Sequence, residues 1–411
     1  MSAQPHELAT YSAQFERYAN ALTAAERAPR SVQFSRFLAS GFPDKHQEDW
    51  RYSDLSRLAE QNYEPDVTTA DGLPIVLLPD ADALVYINGH LQGAPSTSRW
   101  HSDTCELPPP ATGVDALNAA FASGGLRLRL DRNTKLEKPL QVLFISRAEA
   151  QASMSHQRHR IELGDQAEAT VLLDFSGGGG ERLATHFFDV RLGRGAKLTL
   201  YRIQNEAAGG TLVTRIDAKL SRDAKFEALT VDLGGGFIRH DLDVVLAESG
   251  AEAIVAGLYA QAKNSHIDNH VRAVHAAPHC TSRMTYRGLV DEKTKAVFNG
   301  KVVVQPGAQK TDSEQRIANL LLSRKAEVNA KPDLEIYADD VKCAHGATVG
   351  QLDEVALAYL RSRGIAKEVA RAMLLRAFAL EILDRIEWPA LRTRIEAALH
   401  LPSELTVDFE A

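Results

Sequence analysis

The chain has 411 residues, of which 44% are hydrophobic and 25% are charged, as in ordinary soluble globular proteins of two or three domains. Its formal net charge of −7 gives no basic surplus for displacing counterions, which argues against nucleic acid as the main partner. Three cysteines make a disulfide framework improbable, and no apolar run approaches the roughly 20 residues that cross a bilayer. The polar N-terminus is typical of neither a signal nor a transit peptide. We expect a cytoplasmic protein with reduced thiols and no membrane partner.

Residues 1–75 predict an N-terminal helical domain. The stretch HELATYSAQFERYANALTAAERA is rich in Ala, Leu and Glu, and its apolar residues recur at helical spacing. Pro43 and the polar stretch EDWRYSDLSRLAEQNYEPD divide the region into short pieces.

From Val76 the sequence pattern predicts short strands, such as TVLLDF, KLTLYRIQ and HDLDVVLAE. These segments are rich in β-branched or aromatic residues, and their apolar and polar residues partly alternate. These strands repeat. An apolar residue followed four positions later by a small one recurs every 26 to 30 residues, at Leu163, Leu192, Leu220, Leu246, Val274 and Val304. Two further copies, at Leu322 and Cys343, follow after shorter steps. A fixed period of this length predicts a solenoid, in which each unit buries its apolar face by stacking on its neighbours.

Glycine runs keep phase with this repeat, since GGGG begins at Gly177 and GGG at Gly234, each at the same distance past its anchor. Turns at solenoid corners explain them, because no Lys-Ser/Thr completes a P-loop and no GxGxxG opens a helix. Residues 76–348 therefore predict a β-helix core, with a β-sandwich as the alternative.

Residues 349–411 predict a C-terminal helical domain. The stretch AKEVARAMLLRAFALEILDRIEW runs without Gly or Pro and carries two apolar stripes. One stripe contains Val369, Met373, Ala377 and Leu380, and the other contains Leu375, Phe378, Ile382 and Ile386. One stripe can rest on its own domain, whereas two indicate a second surface to cover, on another helix of this chain or on a partner.

The clearest chemical signal is KPDLEIYADDVKCAHGATVGQLDE, which places Cys343 and His345 two residues apart. In an extended strand both side chains point to the same face, and thiolate with imidazole suits zinc or iron. Zinc and iron–sulfur sites ordinarily have about four ligands, and the other cysteines lie far away in the sequence. If the pair binds a metal, a cofactor or another subunit must complete the site; otherwise it is a buried Cys beside a surface His.

Two other clusters are weaker. NSHIDNHVRAVHAAPHC holds His266, His270, His275 and His279 beside Cys280, but its spacing suits a metal only on a helix, and the segment lies among strands. Asp241 and Asp243 are the nearest candidates for the paired acids of a β-helix carbohydrate-active enzyme, although two acids on an apolar strand are more simply its solvated face. No self-sufficient active site emerges.

The segments HAAPHCTSRMTYRG, VFNGKVVVQPGAQKTDSEQ, LLLSRKAEV and KPDLEIYADDVKCAHGATVGQLDEVALAYLRSRGI together resemble the C-terminal signature of the SufB/SufD family, scaffold components of the SUF iron–sulfur assembly machinery. The likeness covers about 275–365, and the EDWRYSDL stretch is consistent with it. With its short length, helical start and few cysteines, the chain most resembles the SufD branch.

This resemblance implies a right-handed parallel β-helix between helical ends, paired through its C-terminal end with a SufB-like paralogue. It also implies that a SufC-like ATPase docks on the C-terminal helices, for which the candidates are Leu352, Tyr359, Leu375, Phe378, Ile382 and Ile386. Cys343 and His345 correspond to the family's interface cysteine and histidine, with His345 favoured for handling iron or the cluster. Ala344 stands where many relatives have Ser.

The sequence thus predicts a non-catalytic scaffold subunit that holds no cofactor stably alone and meets iron or an iron–sulfur cluster transiently within the complex. The alternatives are a SufB-type scaffold that assembles the cluster itself and, less favoured, the carbohydrate-active enzyme. The sequence leaves several questions open. They are whether the chain binds flavin, whether the isolated chain forms a homodimer, and whether it ligates a mature cluster or only assists iron entry. The roles of Cys280 and the His266–His279 cluster are open as well.

Overall fold

The computed structural model describes residues 8–65, 75–93, 99–103, 111–147 and 151–399. Within these ranges the α-helices are α1 (Ala9–Asn20), α2 (Ala24–Ser40), α3 (Gly113–Phe121), α4 (Glu354–Ser362), α5 (Lys367–Leu383) and α6 (Pro389–Ala398). Two short 3₁₀ helices, Glu48–Trp50 and Ser56–Glu60, follow α2. None of the helices in these ranges is both long and apolar enough to cross a membrane.

The strands of the described residues form two ten-stranded sheets. Sheet A contains β1 (Glu64–Pro65), β4 (Trp100–Ser102), β5 (Leu126–Leu130), β7 (Ser153–Leu163), β9 (Arg182–Leu192), β11 (Gly210–Leu220), β13 (Phe237–Leu246), β15 (His266–His275), β17 (Lys295–Val304) and β19 (Glu327–Ile336). Sheet B contains β2 (Asp82–Ile87), β3 (His90–Gln92), β6 (Leu140–Ser146), β8 (Glu168–Gly177), β10 (Lys197–Asn205), β12 (Lys225–Asp232), β14 (Glu252–Gln261), β16 (Thr281–Val290), β18 (Asp312–Leu321) and β20 (Lys342–Gln351).

From β6 onward consecutive strands alternate between the two sheets, so each coil of the chain gives one strand to each sheet. Strands of adjacent coils are parallel and in register; Leu220, for example, lies between Leu192 and Leu246. The structure is therefore mainly β, with a parallel β-solenoid between helical ends, and the predicted fold class is confirmed.

The sequence repeat has a direct structural meaning. Most anchors spaced by 26 to 30 residues end a strand of sheet A, so one period is one two-stranded coil. The later anchors lie at sheet B instead, since Leu322 directly follows β18 and Cys343 is on β20, which explains their shorter steps. The runs beginning at Gly177 and Gly234 lie at the corner where the chain passes from sheet B to sheet A, as predicted.

Helices cover part of the outer face of each sheet. Capping boxes at Thr23–Glu26 and Thr112–Asp115 fix the N-termini of α2 and α3. These helices and α1 bury an aromatic cluster against sheet A, whose members include Tyr11, Phe15, Phe34, Phe37, Phe121 and Phe187. Thus α3 packs with the N-terminal helices although it lies within the range 76–348. Helices α5 and α6 pack on the outer face of sheet B.

The solenoid interior is apolar but contains buried polar groups that are paired. Arg202 and Asp232, each 1% exposed, form an ion pair of 2.7 Å. Histidines are buried as well, His186 in the interior and His156 under α3. Desolvation lowers the pKa of both to about 3, so both are neutral at pH 7. Paired or neutral groups of this kind avoid the cost of an isolated buried charge.

Two glycines make room for tyrosines between coils. The register places Gly257 between Thr230 and Tyr286, and the Thr230 hydroxyl donates to the Tyr286 hydroxyl across that gap at 3.4 Å. Gly288 likewise separates Tyr259 from Asn319, and the Tyr259 hydroxyl donates to the Asn319 side chain. A Cβ on either glycine would overlap a buried ring.

We expect Gly257→Ala to lower the free energy of unfolding by about 1–3 kcal/mol, because the added Cβ would overlap the fully buried Tyr286 ring. The measurement is the urea unfolding midpoint. Gly346→Ala is the matched control, since a Cβ there meets nothing within 4 Å. Equal midpoints for the two variants would contradict this packing.

Candidate functional site

Cys343 and His345 lie on β20, the last strand of sheet B. As positions i and i+2 of one strand, they share a side of it. In register with them, the two preceding coils carry Ser313 and Ser282 behind Cys343, and Gln315 and Met284 behind His345. All four of these side chains are buried inside the solenoid. The two donors therefore occupy inward-facing positions of the final coil.

No described part of the chain covers that final coil. Strands β19 and β20 end sheets A and B, and within the described ranges each pairs with a strand on one side only. Ile336 and Val349 occupy inward positions but are 41% and 50% exposed, whereas Val304 and Asn319, one coil deeper, are 0% and 1% exposed. We call this uncovered surface of β19 and β20 the open end.

The two donors differ in their surroundings. His345 is exposed, whereas Cys343 is half-buried and packs against the core. Burial raises the pKa of the Cys343 thiol, the Asp312 carboxylate raises it further, and a hydrogen bond from the Ser313 backbone lowers it. The thiol is thus protonated at neutral pH until a metal displaces the proton. The pair supplies two ligands of the about four that iron or zinc ordinarily takes.

The histidines of the second cluster are held in separate interactions. His275 Nε2 lies 2.8 Å from the Ser282 hydroxyl, and His270 Nε2 lies 3.0 Å from the Asp268 carboxylate. His279 is at a corner in the left-handed backbone region, with φ of 61°. In the described part of the chain, no three or more His, Cys, Asp or Glu side chains are grouped to hold a metal.

A buried ionic cluster joins the N-terminal region to sheet A, and the sequence reasoning did not find it. The Arg239 guanidinium, 2% exposed, bonds Asp268 at 2.5 Å and lies 4.3 Å from the centre of the Trp50 ring. The Ser53 hydroxyl donates to Asp268 and lies 2.8 Å from His266 Nε2. The EDWRYSDL stretch supplies Trp50 and Ser53, so it fastens the N-terminal helices to the solenoid.

Asp241 and Asp243, the acids considered for a carbohydrate-active enzyme, both form ion pairs with arginines. Asp241 pairs with Arg239 at 2.7 Å and Asp243 with Arg215 at 3.2 Å, beside a cleft of about 450 Å³. Burial raises the pKa of Asp243 to about 6, against the opposing effect of Arg215. Each carboxylate thus belongs to an ion-pair ladder across the outer face of sheet A.

The six candidate residues for docking an ATPase do not form one surface. Ile382 and Ile386 are buried against sheet B, and Leu375 packs partly into the same cluster. Leu352 and Phe378 are half-buried, and Tyr359 is 58% exposed. A docking role for Ile382 and Ile386 is therefore wrong, because this stripe of α5 is the one that rests on its own domain.

The exposed apolar residues lie elsewhere. Val355 and Tyr359 on α4 are 80% and 58% exposed, and Val369 of the other predicted stripe is 41% exposed. Together with Ile336 and Tyr337, at the end of β19, these are the large apolar side chains that the C-terminal part of the described chain presents to solvent beside Val349.

Comparison with known proteins identifies the family. The family described as "SUF system FeS cluster assembly, SufBD core domain" matches residues 144–378, more than half of the chain. The chain belongs to the SufBD family. The resemblance inferred from residues 275–365 is thereby confirmed, and this membership assigns the chain to iron–sulfur cluster assembly.

Individual SufBD relatives support the assignment along most of the length. The "Iron-sulfur cluster assembly protein SufD" of Escherichia coli is 30% identical, over 91% of this chain and 92% of its own. A SufBD family protein of Synechocystis is 29% identical over 86% of each chain, and the SufD protein of Bacillus subtilis is 28% identical over 71% of this chain and 68% of its own.

The open end predicts a difference between two thiols of this SufBD protein. We expect iodoacetamide to alkylate Cys343 about tenfold faster than Cys280 in the folded chain, because Cys280 is 0% exposed and Cys343 is half-buried. Peptide mass spectrometry measures both rates. In denaturant the two rates should converge, and similar rates in the folded chain would show that Cys343 is covered.

Proposed function

We propose that this chain is a non-catalytic scaffold subunit of an iron–sulfur cluster assembly complex, as the SufD branch of its family implies. In this proposal the open end pairs with a SufB-like paralogue, and the C-terminal helices bind a SufC-like ATPase. Iron or a nascent cluster is the cargo, handled at the paralogue interface by Cys343 and His345.

The observation that carries the proposal is the uncovered final coil. Two ten-residue strands there have backbone edges that pair with no other strand of the described residues, and inward-facing Ile336 and Val349 contact solvent. Exposed strand edges are templates for pairing with another chain, and natural proteins cover or pair them. A partner with the same in-register coil would pair both edges and bury both apolar side chains.

The same surface holds the incomplete donor pair. Among the described residues, no group of three or more metal-binding side chains includes Cys343 and His345, so a second polypeptide or the cargo itself would have to supply the remaining ligands. Pairing at the open end would bring a second donor set to the same place. It would also exclude water from the thiol until the interface opens.

The ATPase surface is assigned to the exposed residues of α4 and α5. Val355 and Tyr359 lie four residues apart on one face of α4, and Val369 is near the start of α5. Tyrosine is enriched at protein interfaces because it combines a large apolar area with a polar end. These residues replace the buried Ile382 and Ile386 as the docking candidates.

Two variants separate the two interfaces. We expect Val349→Lys to abolish copurification with a SufB-like paralogue while binding of the ATPase persists, since it places a charge at the inward face of the open end. We expect Val355→Ser combined with Tyr359→Ala to give the reverse pattern. Val32→Lys, on α2 and 53% exposed, is the control for a charge at an exposed site. If either variant removes both partners, the assignment of separate surfaces is wrong.

We expect His345→Ala to leave the paralogue complex intact but to reduce iron–sulfur cluster formation in cells by an order of magnitude or more, because the exposed imidazole is lost as a ligand. The readouts are subunit copurification and the activity of an iron–sulfur reporter enzyme. His90→Ala, far from the open end, is the control. Normal reporter activity in His345→Ala would refute the assigned role.

Anaerobic reconstitution of the isolated chain tests the alternative of a SufB-type scaffold. A chain that needs a partner should give little visible absorption from a cluster after treatment with iron and sulfide. A stoichiometric cluster on this chain alone would favour the SufB-type role instead.

A further inference from the structure

The side chains of the solenoid interior change from apolar to polar directly behind Cys343. In this inward-facing register position the deeper coils carry Leu198, Phe226 and Ala253, all in the apolar core. The next coils carry Ser282 and Ser313, and the last carries Cys343. The position is thus apolar through the middle of the solenoid and polar only over the two coils next to the thiol.

The two serines form a hydrogen-bonded chain that ends on a histidine. The Ser313 hydroxyl lies 2.8 Å from the Ser282 hydroxyl, which lies 2.8 Å from His275 Nε2. The three residues are 2%, 1% and 0% exposed. We call these three residues the serine column.

A buried hydroxyl costs free energy relative to an apolar side chain of similar size, even when it is paired. The deeper coils show that apolar residues fill this position without difficulty. The serine column therefore has a purpose other than packing, and the group that it adjoins is the Cys343 thiol. Ser313 is the in-register neighbour of Cys343 on the adjacent strand β18.

We propose that Ser313, held by Ser282 and His275, is a positioning residue that donates its hydroxyl hydrogen bond to the Cys343 sulfur when the sulfur is a thiolate bearing iron or a cluster. The donors then run in one direction. Neutral His275 donates Nε2–H to Ser282, Ser282 donates to Ser313, and Ser313 donates to the sulfur. Hydrogen bonds to ligand sulfurs orient and tune metal thiolates.

The role of Ser313 rests on the proposed function, but its test needs neither iron nor a partner. The probe is iodoacetamide at pH 8 on the isolated full chain, with the Cys343 rate measured by peptide mass spectrometry. Loss of the donor in Ser313→Ala should reduce the thiolate fraction about tenfold, while the more basic thiolate gains about threefold in nucleophilicity. We expect a net slowing of about threefold.

Matched variants distinguish a hydrogen bond from a packing effect. Ser313→Thr keeps the hydroxyl and should restore the wild-type rate, whereas Ser282→Ala acts through Ser313 and should slow alkylation less. Ser265→Ala removes another buried hydroxyl, which pairs with Thr294 at 3.0 Å, and should leave the Cys343 rate unchanged. Thermal unfolding of each variant shows whether stability losses are comparable.

A wild-type or faster rate in Ser313→Ala would overturn the proposal, since the serine would then only cover the thiol. If Ser313→Ala does not fold, an unchanged rate in Ser282→Ala overturns it as well. Failure here leaves partner binding and the His345→Ala phenotype untouched, so the serine column and the scaffold function fail independently.

Discussion

In-register stacking of parallel coils is the constraint on which the rest of the structure depends. Each inward-facing side chain lies between its counterparts in the neighbouring coils, as Leu220 lies between Leu192 and Leu246. This arrangement buries every coil except the last, because a solenoid cannot cover its own final layer. The open end of β19 and β20 is therefore a direct consequence of the architecture, and the family's assembly chemistry is expected where the stacking stops.

Stacking also explains how polar groups are tolerated inside. Side chains of adjacent coils share the space between those coils, so a glycine makes room for a tyrosine where Tyr286 lies over Gly257 and Tyr259 over Gly288. Hydroxyls of adjacent coils, one spacing apart, can bond in a line, as in the serine column. Through such a column, a buried residue can affect the side chain at the open end by way of a chain of hydrogen bonds. In the proposed role of the serine column, the interior therefore contributes to the site.

Much of the fold could be predicted because its signals are local or periodic. The repeat anchored at Leu163 through Val304 gave the coil length, and the extended segment around Cys343 placed it beside His345 on one side of a strand. The helix α3 was not predicted within the β region, since its nine residues interrupt no repeat. The docking face of α5 was also wrong at Ile382 and Ile386, because two apolar stripes look alike in a sequence and only contact with sheet B separates them.

By itself, the sequence determined the family, the solenoid and the candidate donors, since repeat period, motif order and residue chemistry are written along the chain. Tertiary structure alone decided which residues meet: Ser53 with Asp268, Ser313 behind Cys343, and Ile382 against sheet B. The physical reason is that these contacts join residues far apart in the sequence, about 28 positions apart for neighbouring coils and over 200 apart for Ser53. A local sequence pattern does not specify the register between coils or the helix face that packs against a sheet.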